Sequence, residues 1–187
     1  KKTMRAQELW FAILDSQIET GTPYMLYKDA CNAKSNQQNL GTIRCSNLCT
    51  EVVQYSSVDE VAVCNLASLS LPSFLKRGEF AEDGEVTRFD HDALAEAVRI
   101  VTRNLNRVID RTFYACEEAR RSNTSHRPMG IGVQGLADVF ALLHIPLDGP
   151  PAQQLTRDSS ATLHSPALRA APAIAKRRGP RGRGGGV

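Results

Sequence analysis

Hydrophobic positions change period several times up to about residue 154. From Met4 to Glu19, Leu9, Trp10, Ile13, Leu14 and Ile18 recur at three- and four-residue steps, the spacing of one helical face. Gly21 and Pro23 stop that helix, and Trp10 is expected in its core. Pro23–Tyr27 is short, aromatic and strand-like, and Lys28–Asn39, rich in Asn and Gln, reads as a loop. Leu40–Tyr55 alternates weakly around Ile43, Val52 and Val53, which predicts a strand, a tight polar segment at Cys45–Glu51 and a return. Val61, Val63, Leu66, Leu69 and Leu71 predict a buried strand within Glu60–Leu71 that turns at Pro72. Lys76–Thr87 is charged and surface-like. Asp90–Ile109 gives the clearest helix, with Leu94, Val98, Val101, Leu105 and Val108 on one stripe. Asp90 is placed to cap it, since its carboxylate can accept an unpaired N–H of the first turn. A further helix is predicted over Val133–Leu143. Strands interleaved with helices indicate an α/β fold.

Past Gln154 the apolar period fades and Ala, Pro, Arg, Gly and Ser dominate, ending in an Arg/Gly run. That composition predicts a boundary: a folded unit over 1–154 and a basic, disordered tail over 155–187. Charge divides at the same point. Of the net +3, the tail carries seven basic residues and one acidic, +6, while residues 1–154 carry 16 basic and 19 acidic, −3. A nucleic-acid role would rest on the tail alone, which lacks the interleaved aromatics that stack on bases, so solvated disorder is the preferred reading. No run of 18 apolar residues predicts a membrane span, and the charged start is unlike a signal peptide. Five cysteines, an odd number without a secretory signal, point to a reducing compartment and a cytoplasmic location. The chain starts without Met, as expected of a piece of something longer.

The candidate chemistry lies in Cys45-Ser46-Asn47-Leu48-Cys49-Thr50-Glu51. In extended backbone, residues two apart face one side, so Asn47, Cys49 and Glu51 could converge on one small ligand. A thiol offers nucleophilic or one-electron chemistry, a carboxylate moves protons, and an amide orients a hydroxyl. The competing reading is a polar loop with a buried cysteine.

The context favours chemistry. Asn36-Gln-Gln-Asn-Leu-Gly-Thr-Ile-Arg-Cys-Ser-Asn-Leu-Cys-Thr-Glu51 and Asp59-Glu-Val-Ala-Val-Cys-Asn-Leu-Ala-Ser-Leu69 resemble the finger-loop region of eukaryotic-type class I ribonucleotide reductase large subunits. Thr20–Asp29 and His126–Asp138 resemble the same family and stand in family order, so the resemblance covers about residues 1–154. It implies part of a ten-stranded α/β barrel, incomplete here, with the finger loop inside. It also implies roles. Cys49 matches the thiyl-radical cysteine, Glu51 the acceptor of the 3′-hydroxyl proton, and Asn47 the amide that hydrogen-bonds the ribose hydroxyls. Cys64 matches one member of the redox dithiol.

The implied substrate is a ribonucleoside diphosphate, reduced to its deoxy form. The implied partners are a radical-bearing small subunit, further copies of the large subunit, and thioredoxin or glutaredoxin. No cofactor is expected on this segment. The family's di-iron tyrosyl radical belongs to the small subunit, its reducing equivalents come from a dithiol, and its ATP and deoxynucleotide effector sites have no counterpart here. Nothing in the chain matches the partner cysteine of Cys64, the substrate-phosphate loop or the radical-transfer tyrosines, so the chain alone is expected to be inactive. The alternative is a non-catalytic pseudo-subunit or a basic-tailed RNA-binding or interaction protein.

Other motifs are weaker. Gly130-Ile-Gly132-Val-Gln-Gly135 fits a dinucleotide-loop pattern but lacks the acid about 20 residues on, so a tight loop-to-helix packing turn is expected. Cys45 and Cys49 could be half of a zinc site, but no second pair exists. His91, His126, His144 and His164 read as surface or packing residues.

Overall fold

The computed structural model describes residues 3–77 and 86–178. The chain divides into two compact units, Lys1–Ser56 and Ser57–Val187.

The first unit holds two helices, α1 (Ala6–Thr20) and α2 (Lys28–Lys34), followed by irregular chain. α1 ends where predicted, at Gly21 in the left-handed region (φ 76°), whose N–H bonds Gln17 O. Its apolar stripe is not buried: Trp10 is 50% exposed, contrary to the core position expected of it. Periodicity identifies the face a helix can bury, but burial needs a second surface against it, and α1 contains no buried residue. Pro23–Tyr27 forms no strand, and α2 replaces the first half of the predicted loop.

The second unit runs β1 (Leu66–Ser70), a 3₁₀ turn (Leu71–Phe74), β2 (Leu75–Arg77), β3 (Val86–Phe89), α3 (His91–Arg111), α4 (Glu117–His126), β4 (Gly130–Gln134), α5 (Leu136–Leu142) and α6 (Pro150–Arg178). β1 and β4 pair in parallel, Leu66 with Gly130 through Ser70 with Gln134. Parallel neighbours need a long crossover, and here α3 and α4 lie within it. β2 and β3 form a short antiparallel ribbon. The charged reading of Lys76–Thr87 falls mostly on residues 78–85, which lie outside the described residues.

α3 organises this unit. Asp90 caps it as predicted, its carboxylate accepting from Ala93 N at 3.0 Å. Lys76 pairs with the same carboxylate at 2.5 Å. The hydrogen bond from Lys76, then that from Ala93 N, hold the Asp90 carboxyl below the usual range. Leu94 and Val98 are fully buried and form the core with Leu71 and Val139, with Phe74, Phe89, Ile131, Leu155 and Leu163 packed around them. In the C-terminal half Leu105 is buried as predicted, but the buried face widens beyond the predicted stripe. Thr102, Asn106 and Ile109 are buried, while Val108 is 48% exposed. The two polar members are satisfied: Thr102 Oγ1 donates to Val98 O, and Asn106 accepts from Arg127 through its side chain (2.7 Å) and its carbonyl (2.6 Å).

The boundary at 154 is corrected. Pro150–Arg178 is one helix, packed on α3, where disorder was expected from residue 155. The apolar signal is sparse but periodic: Leu155, Ser159, Leu163 and Ala167 recur every four residues, and Ala152 and Ser159 are buried. Small side chains allow close approach, and Ser159 Oγ returns its proton to Leu155 O at 2.7 Å. Alanine is also the best helix former, so a segment that looks low in complexity is helix-competent. The Arg/Gly run at 179–187 lies outside the described residues.

Leu94→Ala should destabilise the chain by about 2–5 kcal/mol, the range for a buried leucine cavity, read from urea unfolding. Amides over 155–168 should exchange slowly, and exchange at the rate of an unfolded chain there would contradict the packed helix. Asp90→Ala should lower the thermal midpoint at pH 7. Because its folded pKa is depressed, the contribution of Asp90 is complete above the unfolded carboxylate pKa, about 3.9, and is lost as pH falls through the folded value.

Candidate functional site

The segment with Asn47, Cys49 and Glu51 begins at α2. Asn32 uses its carboxamide as a substitute peptide: Nδ2 donates to Ile43 O at 2.8 Å, and Ile43 N donates back to Oδ1 at 2.8 Å. Ile43 is buried behind that clamp. Gln38 Nε2 donates to the carbonyls of Asn32 and Ala33, satisfying the end of α2. Gln37 Oε1 accepts from Tyr55 N at 3.0 Å. Gly41 (φ 146°) lies against the Tyr55 ring, where a β-carbon would stand 2.5 Å from a ring carbon. The Asn/Gln content that reads as a loop is thus a set of side-chain brackets for the chain on either side of the turn.

The turn spans Asn47–Val52. Thr50 N donates to Asn47 O at 3.3 Å, and Asn47 N donates to Val52 O at 3.2 Å. The Asn47 Oδ1 accepts from Val52 N at 3.0 Å, closing the loop a second time. Thr50 lies at φ 66°, and its hydroxyl donates to Cys49 O. Cys49 therefore sits at the exposed tip of a closed turn, flanked by exposed Leu48 and Glu51. The predicted tight polar segment is present, but no strand borders it. The alternation argument for Asn47, Cys49 and Glu51 fails with it, because side chains of a turn do not alternate. What joins the three is a loop six residues long whose ends Asn47 ties together.

Beside the turn lies a cavity of about 290 Å³, lined among others by Tyr24, Lys28, Cys31, Ile43, Cys45 and Ser46. The Lys28 ammonium donates to the Asp29 carboxylate at 2.6 Å and holds that carboxyl below its ordinary range.

Cys64 belongs to the second unit and is exposed. It directly precedes Asn65, which is buried together with Asn123 of α4. The predicted strand over Glu60–Leu71 is shorter than expected. Residues 57–65 carry no ladder, and β1 starts at Leu66. Neither α4 nor the Asn65–Asn123 contact is visible in apolar period. The signal that could have found them is a pair of amides bordering short apolar runs. His126 is not an isolated packing residue, because its Nε2 meets Glu60 Oε2 at 2.6 Å.

The glycine motif resolves as strand, glycine, helix. Gly130 and Gly132 lie in β4, and a β-carbon on Gly130 would stand 2.6 Å from the Leu66 side chain. Gly135 (φ 74°) caps α5 with Pro72 2.7 Å from its would-be β-carbon, so close packing explains the motif, and the helix starts at Leu136. Among the described residues, no three His, Cys, Asp or Glu side chains gather as metal ligands. No described helix is long and apolar enough to cross a membrane.

A family model for the barrel domain of ribonucleotide reductase matches residues 1–183. The chain belongs to that family. The match runs well past Gln154, where the resemblance read from motifs ended. The ribonucleoside-diphosphate reductase large subunit of Trypanosoma brucei brucei is 59% identical over 179 residues, and that of Dictyostelium discoideum is 53% identical, each over 96% of this chain. The chain spans 20% and 21% of those relatives, about a fifth of their length. Among solved structures, the alpha subunit of the Actinobacillus ureae class Id ribonucleotide reductase superposes with a TM-score of 0.70 at 30% identity, over 94% of this chain and 32% of that one. An α/β barrel is therefore the family fold, of which the described residues contribute two two-stranded sheets and their helices, without closure.

A threonine in the left-handed region is strained by roughly 1–2 kcal/mol. Thr50→Gly should relieve part of this and stabilise the chain by about 0.5–1 kcal/mol. Asn47→Ala should destabilise it by about 1 kcal/mol, since Val52 N loses its acceptor. Chemical denaturation of both variants checks the pair of signs.

Proposed function

We propose that this chain is the finger-loop part of the catalytic barrel of a ribonucleoside-diphosphate reductase large subunit, working in the cytoplasm. The observation that carries the reading is the closed turn that exposes Cys49 at its tip, within a stretch 59% identical to such a subunit. In this reading Cys49, as a thiyl radical, removes the ribose 3′ hydrogen and becomes a thiol. Glu51 takes the 3′-hydroxyl proton, and Asn47 holds the ribose hydroxyls. The 2′-hydroxyl leaves as water. Cys64 and a second thiol supply two electrons and two protons and become a disulfide, one proton leaving in that water and the other going to the 2′ carbon. Glu51 returns its proton to the 3′ oxygen, and Cys49 returns its hydrogen to the 3′ carbon. The radical is supplied by a small subunit carrying a di-iron tyrosyl centre, and the disulfide is reset by thioredoxin or glutaredoxin through thiol exchange.

The turn suits this work for a physical reason. A hydrogen-abstracting sulfur has to meet one carbon of a bound sugar, and misplacement by about 1 Å can cost on the order of a hundredfold. Asn47 closes the turn with its backbone and with Oδ1, while its Nδ2 donors take no part in that closure and can face a hydroxyl. One residue thus both shapes the loop and can touch the substrate.

In a full-length reductase carrying this segment, Cys49→Ser should abolish deoxyribonucleotide formation while nucleotide affinity changes little. Serine has nearly the same size, but its O–H bond is much harder to break homolytically. Substantial turnover by the serine variant would remove Cys49 from this role.

A further inference from the structure

Residues 57–65 lead to Cys64 without strand pairing, and α4 holds them at four points. Val61 N donates to Glu118 O at 3.2 Å, Arg121 Nη1 donates to Asp59 O at 3.0 Å, His126 meets Glu60 at 2.6 Å, and Asn123 meets Asn65. The last contact is the most buried, with Asn65 6% and Asn123 0% exposed.

Both amides are fully engaged. Asn65 Nδ2 donates to Asn123 Oδ1 at 2.6 Å and to Pro128 O at 2.8 Å. Asn123 Nδ2 donates to Asn65 Oδ1 at 3.3 Å and to the Tyr114 hydroxyl at 2.7 Å, and that hydroxyl donates to Ile109 O at 2.7 Å. The Asn65 carbonyl accepts from Gly130 N at 2.9 Å. A buried amide pair costs desolvation that an apolar pair of the same size would not, and in return fixes one geometry. This one fixes the residue next to Cys64 against three elements: the end of α3, α4 and the entry to β4.

We propose that Asn65 and Asn123 are positioning residues for the Cys64 thiol, locking the peptide that follows it so that its sulfur keeps one place through disulfide formation and reduction. The proposal rests on the reading of Cys64 as a redox thiol. Disulfide chemistry is demanding in this respect: the two sulfurs must come to about 2.05 Å and the two β-carbons to about 3.8 Å. Asn65 directly follows the exposed Cys64 and is itself buried, so its amide lock acts on the peptide next to the thiol.

The test uses a full-length reductase carrying this segment, with its small subunit, a dithiol reductant and a ribonucleoside diphosphate. Asn123→Ala should lower kcat by on the order of tenfold and leave KM unchanged. Amide exchange should speed up over Val61–Asn65, with α3 unaffected. Tyr114→Phe removes one acceptor of Asn123 and should lower kcat by roughly threefold; it decides the matter if Asn123→Ala does not fold. Val98→Ala, a core change remote from the amide pair, is the control and should keep its kcat. Unchanged kcat in Asn123→Ala or Tyr114→Phe would overturn the proposal, as would an equal loss in Val98→Ala. Full turnover by Cys64→Ser would instead show that the redox reading of Cys64 is wrong, a separate and recognisable failure.

Discussion

Carboxamide side chains make the hydrogen bonds that a strand ladder would otherwise supply around the candidate residues. Asn32 clamps both backbone groups of Ile43, Asn47 closes the turn that bears Cys49, and Asn65 with Asn123 pins the chain after Cys64. A backbone group left unpaired in the interior costs about 1–3 kcal/mol, so irregular chain can hold a fixed shape only if something else pairs it. Asparagine can do so because its amide has the donor and acceptor of a peptide on a short stem. A ladder repeats one register along many residues, whereas an amide clamp fixes one point and leaves the neighbouring side chain outward. Such a clamp leaves Cys49 exposed at the tip of its turn.

The same feature explains what was legible in the sequence. α3 could be read because a buried helix face imposes a period, and Asp90 because a cap has a local signature. The tight segment at Cys45–Glu51 could be read from its polar content, and its family from the motifs around it. The clamps could not, because one Asn in a polar stretch looks the same whether it faces water or holds Ile43. α4 has almost no apolar period to detect, since its buried positions are Ser122 and Asn123. α6 was misread for a related reason. Its buried contacts come largely from Ala and Ser at four-residue spacing, and composition weighs these as tail-like. Trp10 failed in the opposite direction, because its period is clear and its surface is half exposed.

Two kinds of support therefore coexist in the second unit, and they differ in how they fail. The α3 core of Leu71, Leu94, Val98 and Val139 is apolar and cooperative, so loss of one side chain spreads through close-packed neighbours. The Cys64 segment is tied to α4 by directed bonds at Asp59, Glu60 and Val61. Segments with few buried apolar contacts open at lower free energy than core helices. Residues 57–65 carry no ladder, and the buried amide pair fixes the chain where it enters β1, at Asn65.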